Sequence, residues 1–95
     1  MGRLRSQVAE LADKGLFGDI WERKELSKRD RSVATVAALV ALNRTEQLRF
    51  HLQRALENGV KKQELIEEIT HLAFYSGWPT AVNALTVAKE VFSKS

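Results

Sequence analysis

Cysteine is absent from all 95 residues of the chain. Without it there is neither a disulfide framework nor the thiolate on which thiol peroxidases and disulfide oxidoreductases depend. Proline occurs once, as Pro79. There is no proline-rich linker, no low-complexity segment and no strand-forming alternation of polar and apolar residues, which argues against a sheet protein and against a second domain. No apolar stretch approaches the roughly twenty residues that a membrane-spanning helix needs, and no N-terminal stretch has the pattern of a signal peptide. A cytoplasmic protein with no membrane partner is expected. Two histidines on separate segments, His51 and His71, make a weak ligand set, so no metal is expected. Charge of one sign is scarce too: 15 basic residues face 12 acidic ones, for a net charge of +3. The basic residues concentrate at Arg3, Arg5, Arg23, Lys24, Lys28, Arg29 and Arg31, but acids are interspersed and no DNA or RNA motif accompanies them. A solvated face or a basic pocket for an anionic metabolite explains the excess better than nucleic acid does.

What the chain does have is helical punctuation. Ser27, followed by Asp30, can cap a helix whose apolar positions are Val33, Val36, Ala37, Val40 and Ala41. Thr45 is the expected N-cap of the next helix, with Leu48, Leu52, Ala55 and Leu56 on its inner stripe and Asn58-Gly59 as its stop. From Lys62, the residues Leu65, Ile66, Ile69, Leu72 and Ala73 recur at helical spacing behind an acidic first turn. Gly77-Trp78-Pro79 breaks that helix, Pro79 opens the last one, and Ala81, Leu85, Ala88 and Phe92 are its expected inner face. Before Ser27, the residues Val8, Leu11, Ala12 and Leu16 suggest a peripheral helix, and 17–24 a short helix or an irregular turn. The pattern predicts an all-α chain, a compact helical bundle of about five to six helices. It forms a single domain over 1–95, with 1–26 as a peripheral N-terminal segment.

The run Val33-Ala-Thr-Val-Ala-Ala-Leu-Val-Ala-Leu42 is apolar at nine of ten positions. A domain of this size buries only about 60 to 65% of its unfolded surface, so a helix apolar all round is expected to borrow cover from a second subunit. The chain is therefore expected to be oligomeric.

Three segments of the chain form a recognisable combination: the 30–43 helix, the histidine helix with Arg49-Phe-His51 and Ala55-Leu-Glu-Asn-Gly-Val60, and the break Tyr75-Ser-Gly-Trp-Pro-Thr-Ala81. In order and spacing, residues 17–92 resemble the carboxymuconolactone decarboxylase family, small all-helical oligomeric subunits that include cofactor-free decarboxylases and thiol peroxidases. The resemblance makes 27–93 the family core. In the peroxidase branch a Cys-x-x-Cys pair precedes the histidine matching His51; Arg44 and Gln47 stand there instead, which excludes that mechanism. The acidic residue that the branch carries upstream has no counterpart in 33–42.

The decarboxylase branch implies a substrate like 4-carboxymuconolactone, from aromatic catabolism, and assembly as a homohexamer or homotrimer. The alternative is a noncatalytic or partner-dependent member that binds a small anionic metabolite. For the lyase reading, losing carbon dioxide leaves a dienolate spread to the lactone carbonyl, so the protein must hold, desolvate and reprotonate its substrate. His51 is the first candidate for the acid or donor, set against a partly exposed helix histidine bonded to a neighbour. His71, four residues from both Glu67 and Tyr75, is a second acid candidate or else a satisfied interface histidine. Arg44 and Arg49, at the start of the His51 helix, and Arg31 from its neighbour are candidate clamps for a carboxylate. Tyr75 and Trp78 are candidate pocket walls, and Trp21 with Phe17 a candidate closure from the N-terminal segment or another subunit.

Overall fold

The apolar run lies on a helix, α2 (Lys28–Ala41), whose start is fixed by the Ser27 hydroxyl accepting the Asp30 backbone N–H at 3.0 Å. This computed structural model describes the backbone of residues 2–94 and the side chains of residues 6–94; the side chains of Arg3 and Arg5 lie outside the described residues. Asn43, with φ at 58°, turns the chain into α3 (Thr45–Glu57). The cap of α3 falls one residue before the expected Thr45. Arg44 holds it, because its N–H still bonds the Leu39 carbonyl of α2 while its carbonyl already accepts from Leu48, both at 2.9 Å.

Gly59, with φ at 94°, ends α3, and the Asn58 side chain reaches back to donate to the Ser32 hydroxyl at 2.9 Å. Ser32 is wholly buried, and this bond satisfies it. The Glu64 carboxylate then accepts the Lys61 N–H at 2.9 Å and starts α4 (Lys62–Ser76). Gly77, at φ 106°, breaks it in a conformation that L side chains rarely adopt, and Pro79 sits in the first turn of α5 (Trp78–Ser93).

Helices α3 and α4 flank α2 on one side, and α5 packs across both. Between them lie Val36, Val40, Leu48, Leu52, Ala55, Leu65, Ile69, Ala84 and Ala88, all essentially without exposure. Each buried leucine or isoleucine contributes about 1.5 to 3 kcal/mol. The ion pairs Arg29–Glu64, joining α2 to α4, and Arg49–Glu90, joining α3 to α5, are half-exposed and add at most about 1 kcal/mol each.

The 33–42 run packs against α3, α4 and α5 on one face and leaves Ala34, Ala38, Ala41 and Leu42 exposed. One further expectation changes. On α5 the inner stripe is Ala81, Ala84, Ala88 and Val91, which turns Leu85 outward with 39% of its surface exposed. A stripe starting at 81 steps by three and four residues, and the small alanines bring α5 close to the other helices.

The N-terminal segment runs outside this bundle as α1 (Gly2–Leu11), a π-helical turn (Ala12–Phe17) and a 3₁₀ turn (Ile20–Glu22). Its Val8, Leu11 and Leu16, expected to form an apolar face, are exposed. Among the described residues there is no strand, and no helix is long and apolar enough to cross a membrane.

Candidate active site

His51 lies one position round α3 from the buried Leu48–Leu52–Ala55 stripe, on the side that the N-terminal segment covers. What brings that segment back is Gly18. Its N–H bonds the Asp13 carbonyl at 2.6 Å, and a Cβ there would stand 2.7 Å from the same oxygen, so only glycine closes the turn without displacement. A bidentate pair between Arg23 and Asp19, with both bonds at 2.9 Å, then brackets the 3₁₀ turn. Arg31 of α2 donates to the carbonyls of Leu26 at 3.1 Å and Arg23 at 3.4 Å. These bonds seat Trp21, the one residue of the turn that is buried.

The Trp21 indole stacks on the His51 imidazole, with centroids 6.2 Å apart and planes 18° from parallel. Phe17 stacks on Trp21 at 6.3 Å, and Phe50 meets His51 edge-on at 5.1 Å. The Arg54 guanidinium lies over the rings of Phe17 at 5.6 Å and Phe50 at 5.3 Å. His51 Nδ1 is buried without a hydrogen-bond partner. Burial first, and the Arg54 charge second, hold the imidazole pKa below its usual 6.5. The ring is therefore neutral at neutral pH. We assign its proton to Nε2, because a proton on Nδ1 would bury an unpaired N–H.

A second feature lies between α2 and α4, a cleft of about 420 Å³ lined by Arg29, Val33, Val60, Glu64, Glu67, Glu68 and His71. Burial pushes the Glu68 carboxyl up to about 7, and its Oε1 is buried without a partner. His71 is exposed and packs on Tyr75 at 4.9 Å.

The candidate residues thus separate. His51 gathers Trp21 and Phe17, whereas His71 belongs to the α2–α4 cleft. Arg31 is engaged by backbone carbonyls and Arg49 by Glu90; Arg44 is exposed at the start of α3. Tyr75 and Trp78 are 78% and 63% exposed and line neither feature. Two residues escaped the sequence reading. Arg54 follows His51 by three positions, a spacing that puts both on one helix face, and Glu68 precedes His71 by three.

Five helices with a partly buried histidine among aromatic rings define a small all-α protein. The chain belongs to the carboxymuconolactone decarboxylase family, whose profile matches residues 6–90. It is 43% identical over 76 residues to a protein of Acinetobacter baylyi named 4-carboxymuconolactone decarboxylase, covering 80% of this chain and 57% of that one. It is 29% identical over 84 residues to a nitrosuccinic acid decarboxylase of Metarhizium robertsii, covering 88% and 59%. An uncharacterised protein of Paracoccus denitrificans is 29% identical over 80 residues, covering 82% and 60%. The chain spans less than two thirds of the length of these curated relatives.

Proposed function

We propose that the chain decarboxylates 4-carboxymuconolactone, or a related small carboxylated acid, without a cofactor, and that His51 is its catalytic donor. The observation that carries this reading is the partly buried imidazole of His51, set between Trp21 and Phe50 beside the Arg54 cation, with its pKa held below 6.5.

The names of the two decarboxylase relatives support a common chemistry. A carboxylactone and a nitro acid each contain an acceptor that takes up the electron pair left when carbon dioxide departs. In the lactone the bond to the carboxylate carbon breaks, carbon dioxide leaves, and its electron pair spreads through the ring double bond onto the carbonyl oxygen. The Nε2–H of His51 hydrogen-bonds that oxygen as charge develops, and a solvent proton then adds to carbon. A neutral donor partly shielded by aromatic rings stabilises a developing oxyanion without pairing with the departing carboxylate. Arg44, Arg31, Arg49, His71, Tyr75 and Trp78 remain as supporting residues at most.

The reading extends to a cytoplasmic homohexamer or homotrimer serving aromatic catabolism. Association is supported by the exposed apolar surface at Phe74, Tyr75, Trp78 and Val82, where Phe74 and Trp78 meet edge-on at 5.8 Å.

The test is to mix the protein with 4-carboxymuconolactone and follow ring absorbance and carbon dioxide release. His51→Gln is expected to keep the helical circular dichroism and to lower kcat about 100-fold or more. Equal turnover by both proteins would remove His51 from the reaction. Turnover by neither would favour binding of a small anion without chemistry.

A further inference from the structure

Arg54 is set apart from Arg23, Arg29, Arg31 and Arg49 by what it does not bond. The guanidinium groups of Arg23, Arg29, Arg31 and Arg49 each donate to a carboxylate or a backbone carbonyl. Arg54 makes no such bond among the described residues. It forms an ion pair with Glu57, one helical turn on, at 3.8 Å and beyond hydrogen-bond reach. Yet its guanidinium is held in place, over the rings of both Phe17 and Phe50. The side chain is 38% exposed, so an incoming ligand can reach it. A positioned guanidinium with unused donors matches the two oxygens of a carboxylate.

Which carboxylate it takes follows from the chemistry. An arginine paired with the carboxylate that is lost would stabilise the ground state and lose its partner on the way to the transition state. An arginine paired with a carboxylate that stays keeps its bond throughout and positions the reacting carbon. His51 and Arg54 are one helical turn apart, about 5 to 6 Å between Cβ atoms, which suits a small acid held at one end and reacting at the other.

We propose that Arg54 anchors a carboxylate the substrate retains, which makes the His51 site selective for acids carrying a second carboxylate. The inference rests on the decarboxylation reading, whose lactone carries two carboxylates, and assigns the residue that holds the one that stays. It is tested by titrating the protein with succinate and with butyrate, a dicarboxylate and its monocarboxylate counterpart, while following the His51 imidazole by NMR. Succinate is expected to bind the unaltered protein and to bind Arg54→Gln roughly tenfold or more weakly. Butyrate is expected to bind both proteins weakly and alike. Arg54→Lys, which keeps the charge but not the fork, is expected to fall between and guards against a variant that fails to fold. Without ligand, Arg54→Gln is expected to raise the His51 pKa by removing a nearby positive charge. With 4-carboxymuconolactone, its loss is expected mainly in KM.

Succinate affinity unchanged in both variants, or butyrate bound as tightly as succinate, would overturn the proposal. Arg54-dependent succinate binding by a protein that turns over no lactone would uphold the anchor and overturn the decarboxylation reading instead.

Discussion

His51 and Glu68 each bury a polar atom that finds no partner, and the consequences run in opposite directions along the pH axis. The His51 pKa is lowered, so its folded state resists protonation. Its contribution to stability is complete above 6.5 and is lost as pH falls through the lowered value. The Glu68 carboxyl is raised from 4.5 to about 7, so the folded state holds a proton that the unfolded chain has released. Its contribution is complete below 4.5 and is lost as pH rises through about 7. Around it stand the carboxylates of Glu64 and Glu67, the Arg29 guanidinium and His71. Between roughly pH 7 and 8.5, where His51 is mostly neutral in both states, Glu68 dominates this pair, and stability measured by urea unfolding is expected to fall as pH rises. Glu68→Gln is expected to flatten that slope and to stabilise the protein at pH 8.5 by about 1 to 2 kcal/mol, discounted for a half-exposed group. An unchanged slope would place the proton elsewhere. Arg54 belongs to the same scale: its environment depends on Phe17, distant in sequence, which is why spacing alone did not single it out.

At the scale of elements, the helices were legible wherever the chain marks its own ends. Ser27, Asn58-Gly59 and Gly77-Trp78-Pro79 act through local backbone chemistry and stand where the sequence puts them. Thr45 was misplaced by one residue because the turn out of α2 keeps Arg44 bonded to Leu39. Leu85 was misplaced because apolar size is a poor guide on a helix whose packing face is made of alanines. The N-terminal segment resisted reading for another reason: its π and 3₁₀ turns have no period of their own and are fixed by Trp21 packing on α3 and by Arg31 holding the loop. Gly18 tests that account. Gly18→Ala places a methyl group against the Asp13 carbonyl and is expected to loosen the segment while leaving the bundle of α2 to α5 folded. NMR titration should then find the His51 pKa moved up towards 6.5, since the burial that depresses it is lost. A pKa unchanged from the unaltered protein would mean that the segment does not desolvate the site.

Across the whole molecule, the four core helices form a scaffold and the N-terminal segment finishes the site. The all-α bundle could be read from pattern, and His51 from the family resemblance. The arrangement around His51 could not, because it joins residues 17, 21, 50, 51 and 54 through packing that leaves no period in the sequence. The central claim is that His51 works as a neutral hydrogen-bond donor. The pH dependence of kcat with 4-carboxymuconolactone tests it most directly. A neutral donor predicts a kcat that stays level from roughly pH 7.5 to 9, a range in which an imidazole held below 6.5 is neutral. A kcat that falls about tenfold per pH unit across that range would show that the reaction needs the imidazolium, and would contradict the account.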